Sequence, residues 1–564
     1  MYKRQGLSPT RKEFSGDLTL VVFPFTKAAK KKPEDIANEI GNYLKTNESL
    51  VAEFNVIKGF LNLEIDPSFW IQFLQRESTN DKYGHLEKNG KKVMVEFCSP
   101  NTNKPLHLGH IRNILLGWSC AKIIEQAGYD VVKTQIINDR GIHICKSMIA
   151  WIETGNGSTP ESEGIKGDHF VGKYYVAYNN LEKADKEKMA AAGEKGDPPI
   201  LKRARVLLKK WEDQDPEVRS IWAKMNDWGY DGFDQTFDAL GVNFDKLYYE
   251  SETYLLGKKY VDQGLDAKLF FKKEDGSVWI DLEDAGMDQK IVLRADGTSV
   301  YMTQDIGTAQ SRYEDFKMDK LVYVVGDEQN YHFKVLFEIM KRFKANYADG
   351  LFHLSYGMVD LPTGKMKSRE GTVVDADDLI KDVIQEATSN ANERGTLVEA
   401  NDAEQSDIFR RIGLGALKYF ILKVNPKKRM TFDPKESVDL HGNTGPYIQN
   451  AYVRIKSVLR KAAETPIEAS FDNYKMEKLE LDLIKQLFQF PEIIKGAAEA
   501  YDPSSVANYC YELAKNYHRF YHDHSILKVD DLVTKKFRLT LSGMVAYVLA
   551  SGMNLLGVEM PEKM

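Results

Sequence analysis

The chain has 564 residues, of which 43% are hydrophobic and 28% charged, with a formal net charge of −6. That length asks for roughly three or four domains, and the mix is that of a globular protein. The acidic balance excludes a generally basic nucleic-acid coat but leaves room for local basic patches. Cys98, Cys120, Cys145 and Cys510 are scattered, with no Cys-x-x-Cys pair. This fits a reducing cytoplasm and offers neither a disulfide framework nor a zinc knuckle. No run of about 18 apolar residues and no signal-peptide core appear, so a cytoplasmic chain without membrane attachment is expected. Residues 1–88 read as a small α+β unit. Leu18 to Phe25 is an apolar strand, Pro33 opens a helix carrying Ile36, Ile40 and Leu44, and Leu61, Leu63 and Ile65 alternate as a strand. The basic run Lys27 to Lys32 reads as a solvated face.

Next comes the stretch around which the chain is organised. Val93 to Cys98 is a buried strand. Ser99 to Arg112 follows, and Ile111, Ile114, Leu115, Trp118, Ala121 and Ile124 then repeat at helical spacing up to a stop at Gly128. A second strand spans Val131 to Ile137. Strand, turn, helix and strand together predict a parallel α/β sheet. The turn places His107 and His110 around Gly109 at a helix N-terminus, where unpaired N–H groups and a partial positive charge receive phosphates. Two imidazoles there can donate to phosphate oxygens as charge builds in a transition state. Gly109 leaves the backbone open to a base or ribose. No Gly-x-Gly-x-x-Gly follows the strand and no P-loop is present. A zinc pair at i, i+3 would need further ligands, which nothing nearby supplies at the usual spacing.

His107-Leu108-Gly109-His110 resembles the HIGH signature of class I aminoacyl-tRNA synthetases and related nucleotidyl transferases. The longer string, Glu96 to Asn101, Lys104-Pro105 and His107 to Arg112, is similar to that of the arginyl-tRNA synthetase family. The resemblance implies an α/β, Rossmann-like parallel-sheet catalytic domain with an N-terminal α+β add-on and a C-terminal all-α bundle. It would make 1–88 the domain that contacts the tRNA elbow, 89–440 the catalytic domain, and 441–564 the helical anticodon-binding domain. It also implies a further helix before Gly16-Asp17, so some N-terminal residues are expected to be missing.

Asn138-Asp-Arg-Gly141 departs at Asn138 from the family's Gly-Asp-x-Gly. Residues 155–211 turn polar and read as a solvent-exposed insertion, part loop and part charged helix. Within it Lys202 to Arg205 and Lys209-Lys210 can meet RNA phosphate or simply face solvent. Phe270 to Asp281 and Lys290 to Arg294 alternate like strands of a hairpin or small sheet. Leu321 to Val325 opens a second β-α-β half facing the first across a crevice. Tyr301 and Asp305 lie four apart on one helix face. A carboxylate can take a guanidinium in a bidentate pair and an aromatic ring can stack on it. By resemblance Tyr301, Asp305 and Gln329 hold arginine's side chain, Glu250 is a second carboxylate, and Glu96, Ser99 and Asn101 hold its main-chain polar atoms. Leu108, Gly109 and Ser368 are the implied ATP contacts.

Lys365-Met-Lys-Ser-Arg369 occupies the place of the class I KMSKS loop. It has Ser368 where that loop carries its second lysine, a charge Lys104 can supply. Lys365, Lys367 and Arg369 would clamp the triphosphate as pyrophosphate leaves. From Ala376 onward the pattern is helical, with 382–440 connecting to the end domain. Pro426 to Arg429 is a basic turn, and Gly445-Pro-Tyr-Ile-Gln449 with the ending Leu555 to Met564 resembles the family's anticodon-binding domain. The implied cofactors are ATP and Mg2+ carried with it, with no protein metal cage, and the implied partners are tRNA(Arg) and L-arginine, with the chain a monomer. The family typically needs bound tRNA before it activates arginine. A cysteinyl or methionyl enzyme would carry zinc cysteines. A large editing insertion is also missing, as fits an amino acid read by buried polar partners. The non-enzymatic rival is a synthetase-like tRNA-binding protein; the intact His107, His110 and Lys104 argue against it.

Overall fold

The computed structural model describes residues 7–11, 13–362, 374–393, 401–463, 470–471 and 474–564. Two compact units emerge. One comprises the chain up to Tyr83 with 454–490 and 515–548; the other comprises 84–453, 491–514 and 549–564.

In the first unit a four-stranded antiparallel sheet runs Leu7–Pro9, Leu18–Val21, Phe60–Ile65, Val51–Ile57 across its width. The helix Pro33–Asn47 covers it, and Gly41 permits the contact: a Cβ there would lie 2.4 Å from the Phe54 ring. The apolar run Leu18 to Phe25 is a strand only to Val21. Pro24 cannot donate to a ladder, and Phe23–Phe25 forms a 3-10 turn with both phenylalanines exposed. Phe488 packs its ring edge-on to Phe69, Trp70 and Phe73, and Lys485 pairs with Asp17.

The second unit is built on a five-stranded sheet in the order Leu351–Tyr356, Lys320–Gly326, Lys92–Glu96, Asp130–Ile137, Lys246–Tyr249, all parallel. Successive strands run outward in one direction from Lys92–Glu96, and the later pair lies on its other side. The switch in direction therefore falls between Lys92–Glu96 and Lys320–Gly326, and folds of this kind bind ligands at the strands' carboxyl ends beside such a switch. The helix Leu108–Gln126 is buried on nearly all faces. It stops at Gly128, whose φ of +90° brings it so close to Glu87 that a Cβ would lie 2.1 Å from the carbonyl oxygen. Asn113 on this helix fixes the switch. Its Oδ1 accepts the Cys98 N–H at 2.6 Å, and its Nδ2 donates to the Val324 carbonyl at 2.7 Å. Arg112, fully buried, donates to the carbonyls of Pro426 and Lys428. The basic turn at 426–429 thus lends its backbone to the core, and its Arg429 pairs with Asp360.

The insertion is more ordered than its polarity predicts. It forms helices Gly167–Ala191 and Pro199–Glu212, with Phe170, Tyr174, Tyr178, Ile200 and Trp211 in a core shared with the helix Ile142–Thr154. A 25-residue helix, Pro216–Leu240, packs beside them, its start capped by Asp215. Phe270–Lys272, Val278–Ile280 and Lys290–Leu293 form the small antiparallel sheet expected. All four cysteines are free and buried, and burial pushes the thiols of Cys145 and Cys510 up to about 12. Among the described residues no helix is long and apolar enough to cross a membrane.

Candidate active site

The histidine turn is a helix cap made of imidazoles. His107 takes the N-cap position with an extended backbone (φ −142°), and its Nδ1 accepts the Gly109 N–H at 3.1 Å. His110 reaches back, its Nδ1 accepting the His107 N–H at 3.2 Å. These are the two arms of a capping box, normally a Ser or Thr with a Glu. Gly109 makes it possible: a Cβ would sit 2.9 Å from the His107 ring. The rings lie against each other with centroids 3.9 Å apart. Each Nδ1 is an acceptor, so each neutral ring carries its proton on Nε2 as a donor. Burial, with Lys104 nearby, lowers His107 to about 4; burial, His107 and Lys104 hold His110 well below its ordinary value. Burial likewise lowers Lys104. Leu108 is fully buried, and its N–H is taken by the Val374 carbonyl at 3.1 Å.

Glu96 ends the first strand and is buried against Arg312, with the Ser99 hydroxyl 3.4 Å away. Burial raises the Glu96 carboxyl and Arg312 opposes it. Asn101 bridges Asn138 in parallel, and the Asn138 side chain donates to the Ser99 carbonyl at 3.2 Å. The departure at Asn138 therefore splints the stretch that carries Ser99 and Asn101.

Tyr301 and Asp305 lie on the helix Tyr301–Phe316 as expected, Tyr301 being 77% exposed. Gln329 is exposed on a 3-10 turn just after Lys320–Gly326. Glu250 opens a short helix after Lys246–Tyr249. Burial raises its pKa to about 7, with Arg140 pulling down and Asp139 and Asp305 pushing up, which places Glu250 in the electrostatic reach of Asp305. Residues 363–373, with Lys365, Lys367, Ser368 and Arg369, lie outside the described residues.

Three participants escape a reading of the sequence. His332 Nε2 lies 2.6 Å from Asp305 Oδ2. Asp139 is 1% exposed and accepts from Tyr230 and from the backbone and hydroxyl of Ser251. Arg140 lies 3.9 Å from the Tyr254 ring and pairs with Glu212 at 3.0 Å, at a cavity of about 440 Å³ lined also by Arg294, Ser299 and Gln304. Each depends on a partner far away in the chain, so no local pattern announces it.

Neutral Nε2 donors over a helix N-terminus suit a phosphate, and two carboxylates beside an exposed tyrosine suit a guanidinium. Comparisons with known proteins point the same way. Residues 74–433 match the family described as tRNA synthetases class I (R), catalytic domain; 448–564 match the DALR anticodon binding domain; 5–65 match the arginyl tRNA synthetase N terminal domain. The arginine–tRNA ligase of Bacteroides thetaiotaomicron is 54% identical, covering 99% of this chain and 95% of its own. That of Porphyromonas gingivalis W83 is 50% identical over the same shares. The fold is similar to that of Thermus thermophilus arginyl-tRNA synthetase, with a TM-score of 0.80 at 23% identity, covering 99% of this chain and 96% of that one.

Proposed function

This chain belongs to the class I arginyl-tRNA synthetases and is an arginine–tRNA ligase, and from that premise we propose how its residues divide the work. ATP lies over the histidine turn, with the Nε2–H groups of His107 and His110 donating to phosphate oxygens and Lys104 adding charge. Magnesium carried with the ATP, for which no protein cage is assigned, would neutralise charge on the phosphates. Asp305, oriented by His332, takes the guanidinium with Glu250, while Tyr301 and Gln329 border it. Glu96, Ser99 and Asn101 hold the amino acid's main-chain polar atoms.

A carboxylate oxygen of arginine attacks the α-phosphorus in line. The new O–P bond forms as the bond to pyrophosphate breaks, and pyrophosphate leaves with that electron pair. Lys365, Lys367 and Arg369 steady the leaving group. A hydroxyl of the terminal adenosine of tRNA(Arg), the 2′ one by the class I pattern, then attacks the arginyl carbonyl and AMP departs. No side chain forms a covalent bond. We place this monomeric enzyme in the cytoplasm, where tRNA is charged. The observation that carries the reading is the reciprocal capping of the turn by the two Nδ1 atoms, which turns both Nε2–H groups into donors.

The test is arginine-dependent ATP–pyrophosphate exchange with and without tRNA(Arg). Exchange is expected only when tRNA is present. Exchange with arginine alone would keep the substrate and remove the tRNA requirement; none in either case, with a folded chain, would overturn the reading.

Glu250 gives this reading a pH signature. A group raised to about 7 is protonated as pH falls through that value, which removes its charge from the guanidinium. Below pH 7, kcat/KM for arginine should fall about tenfold per unit. Glu250→Gln should be slow throughout and lose that limb, as measured by exchange between pH 5.5 and 8.5.

A further inference from the structure

The insertion helix Gly167–Ala191 touches both sides of the histidine turn. Gly172 is pressed on the stretch before the turn: a Cβ would lie 2.7 Å from Pro105 Cδ and 3.5 Å from Lys104 Cα. At the helix cap, Lys166 Nζ donates to Asp377 Oδ2 at 2.6 Å and to Thr236 Oγ1 at 2.5 Å, with Asp168 Oδ2 at 3.5 Å. His169 Nε2 lies 3.1 Å from carboxylate oxygens of both Asp375 and Asp377. Thr236, on Pro216–Leu240, donates to the other oxygen of Asp377 at 2.9 Å.

The two aspartates stand at the start of the helix Ala376–Glu393, where Asp375 accepts the N–H groups of Asp377 and Asp378. The backbone there is clipped to the histidine turn: Leu108 donates to Val374 and Ala376 donates to Leu106, each at 3.1 Å, with Asp375 opposite His107. Lys166 by a hydrogen bond to Asp377, and His169 by ion-pair contacts with Asp375 and Asp377, therefore reach the segment that is clipped to the turn. The ligand atoms of Asp168, His169 and Asp377 lie within 4.8 Å of one another. The Lys166 ammonium sits among these carboxylates, so the chain supplies its own cation there. The adjacent carboxylates of Asp375 and Asp377 push His169 up to about 10, which favours its cationic form at neutral pH. These charges are largely shielded from water, and breaking such a pair leaves an uncompensated partner.

We propose that Lys166 and His169 are positioning residues for arginine activation: by gripping Asp375 and Asp377 they hold residues 374–376 against the histidine turn and set where His107 and His110 stand. The inference rests on the phosphate-binding reading of the turn, so His110→Ala is measured beside it to test that reading separately.

The experiment is tRNA-dependent pyrophosphate exchange by the full chain with Lys166→Met, His169→Gln, Lys166→Arg and His169→Arg. The neutral variants should lower kcat by about ten- to a hundredfold, the scale of a small misplacement of reacting groups. KM for arginine and ATP should stay within about twofold, and the arginine variants should regain at least half of the lost rate. Unchanged kcat in the neutral variants, a loss confined to KM for arginine, or arginine variants as slow as the neutral ones would each overturn the proposal. Should Lys166→Met not fold, Thr236→Val removes one hydroxyl of the same network; a loss of about threefold in kcat is expected, and the wild-type rate would overturn the clamp.

Discussion

Asp305→Asn is expected to lower kcat/KM for arginine by about three orders of magnitude, or ~4 kcal/mol, the scale for truncating one partner of a desolvated charge pair. Asn keeps the volume and one acceptor but has no charge to set against the guanidinium. In the free protein Asp305 is tied to His332 Nε2 at 2.6 Å, so the carboxylate is aimed before arginine arrives. His332→Gln should cost about tenfold, because it removes the aim and leaves the charge. Steady-state exchange at varied arginine concentration measures both. The assignment of Asp305 fails if Asp305→Asn keeps the wild-type kcat/KM.

The second large effect is His110→Ala. Removing a donor aimed at developing charge costs about a hundred- to a thousandfold in kcat. The variant should still bind tRNA(Arg), because the residues matching the anticodon domain are untouched. Its own Nδ1 also completes the capping box, so part of the loss has a conformational origin. His107 allows a cleaner separation. Asn is among the best N-cap residues, so His107→Asn should keep the cap while deleting the Nε2 donor. It is predicted to hold its Tm within a few degrees at neutral pH and lose activity on the same scale as His110→Ala.

Acid stability gives an independent check. His107 titrates near 4 when folded and near its ordinary 6.5 when unfolded. The unfolded chain binds the extra proton in that window, so stability falls as pH drops from 6.5 towards 4. His107→Asn should flatten that part of the curve, measured by denaturant unfolding at each pH.

Much of the fold was legible because local signals agreed. The run Val93 to Cys98 reads as a strand, which the structure forms at Lys92–Glu96 and ends before Cys98, whose φ is +57°; the residues after His110 repeat at helical spacing with a glycine stop. Class I architecture followed from that unit and its resemblance. The insertion was harder. Phe170, Tyr174, Tyr178 and Trp211 form a narrow apolar stripe among many lysines and glutamates, so composition suggested a solvent-exposed insertion, part loop and part charged helix, where tertiary packing made long helices with a buried face. The apolar run at 18–25 misled in the other direction, since Pro24 ends the ladder. In the site, the role of the Tyr301–Asp305 face came from the resemblance; the shared helix face itself was visible from spacing, and the histidine turn from its strand–turn–helix context. Arg312 beside Glu96 and His332 beside Asp305 were not, because pairing across 216 and 27 residues leaves no local trace.

The buried thiols set the terms on which this enzyme can be labelled. Alkylating probes attack the thiolate, and Cys98, Cys120, Cys145 and Cys510 are all sequestered, with pKa values pushed up by burial. A maleimide at neutral pH should pass over the native chain, so no cysteine-free background has to be engineered. A single cysteine in place of Tyr301, which is 77% exposed and borders the proposed arginine pocket, would be the fast-reacting position. Its protection by arginine and tRNA would then report occupancy of the pocket without any turnover.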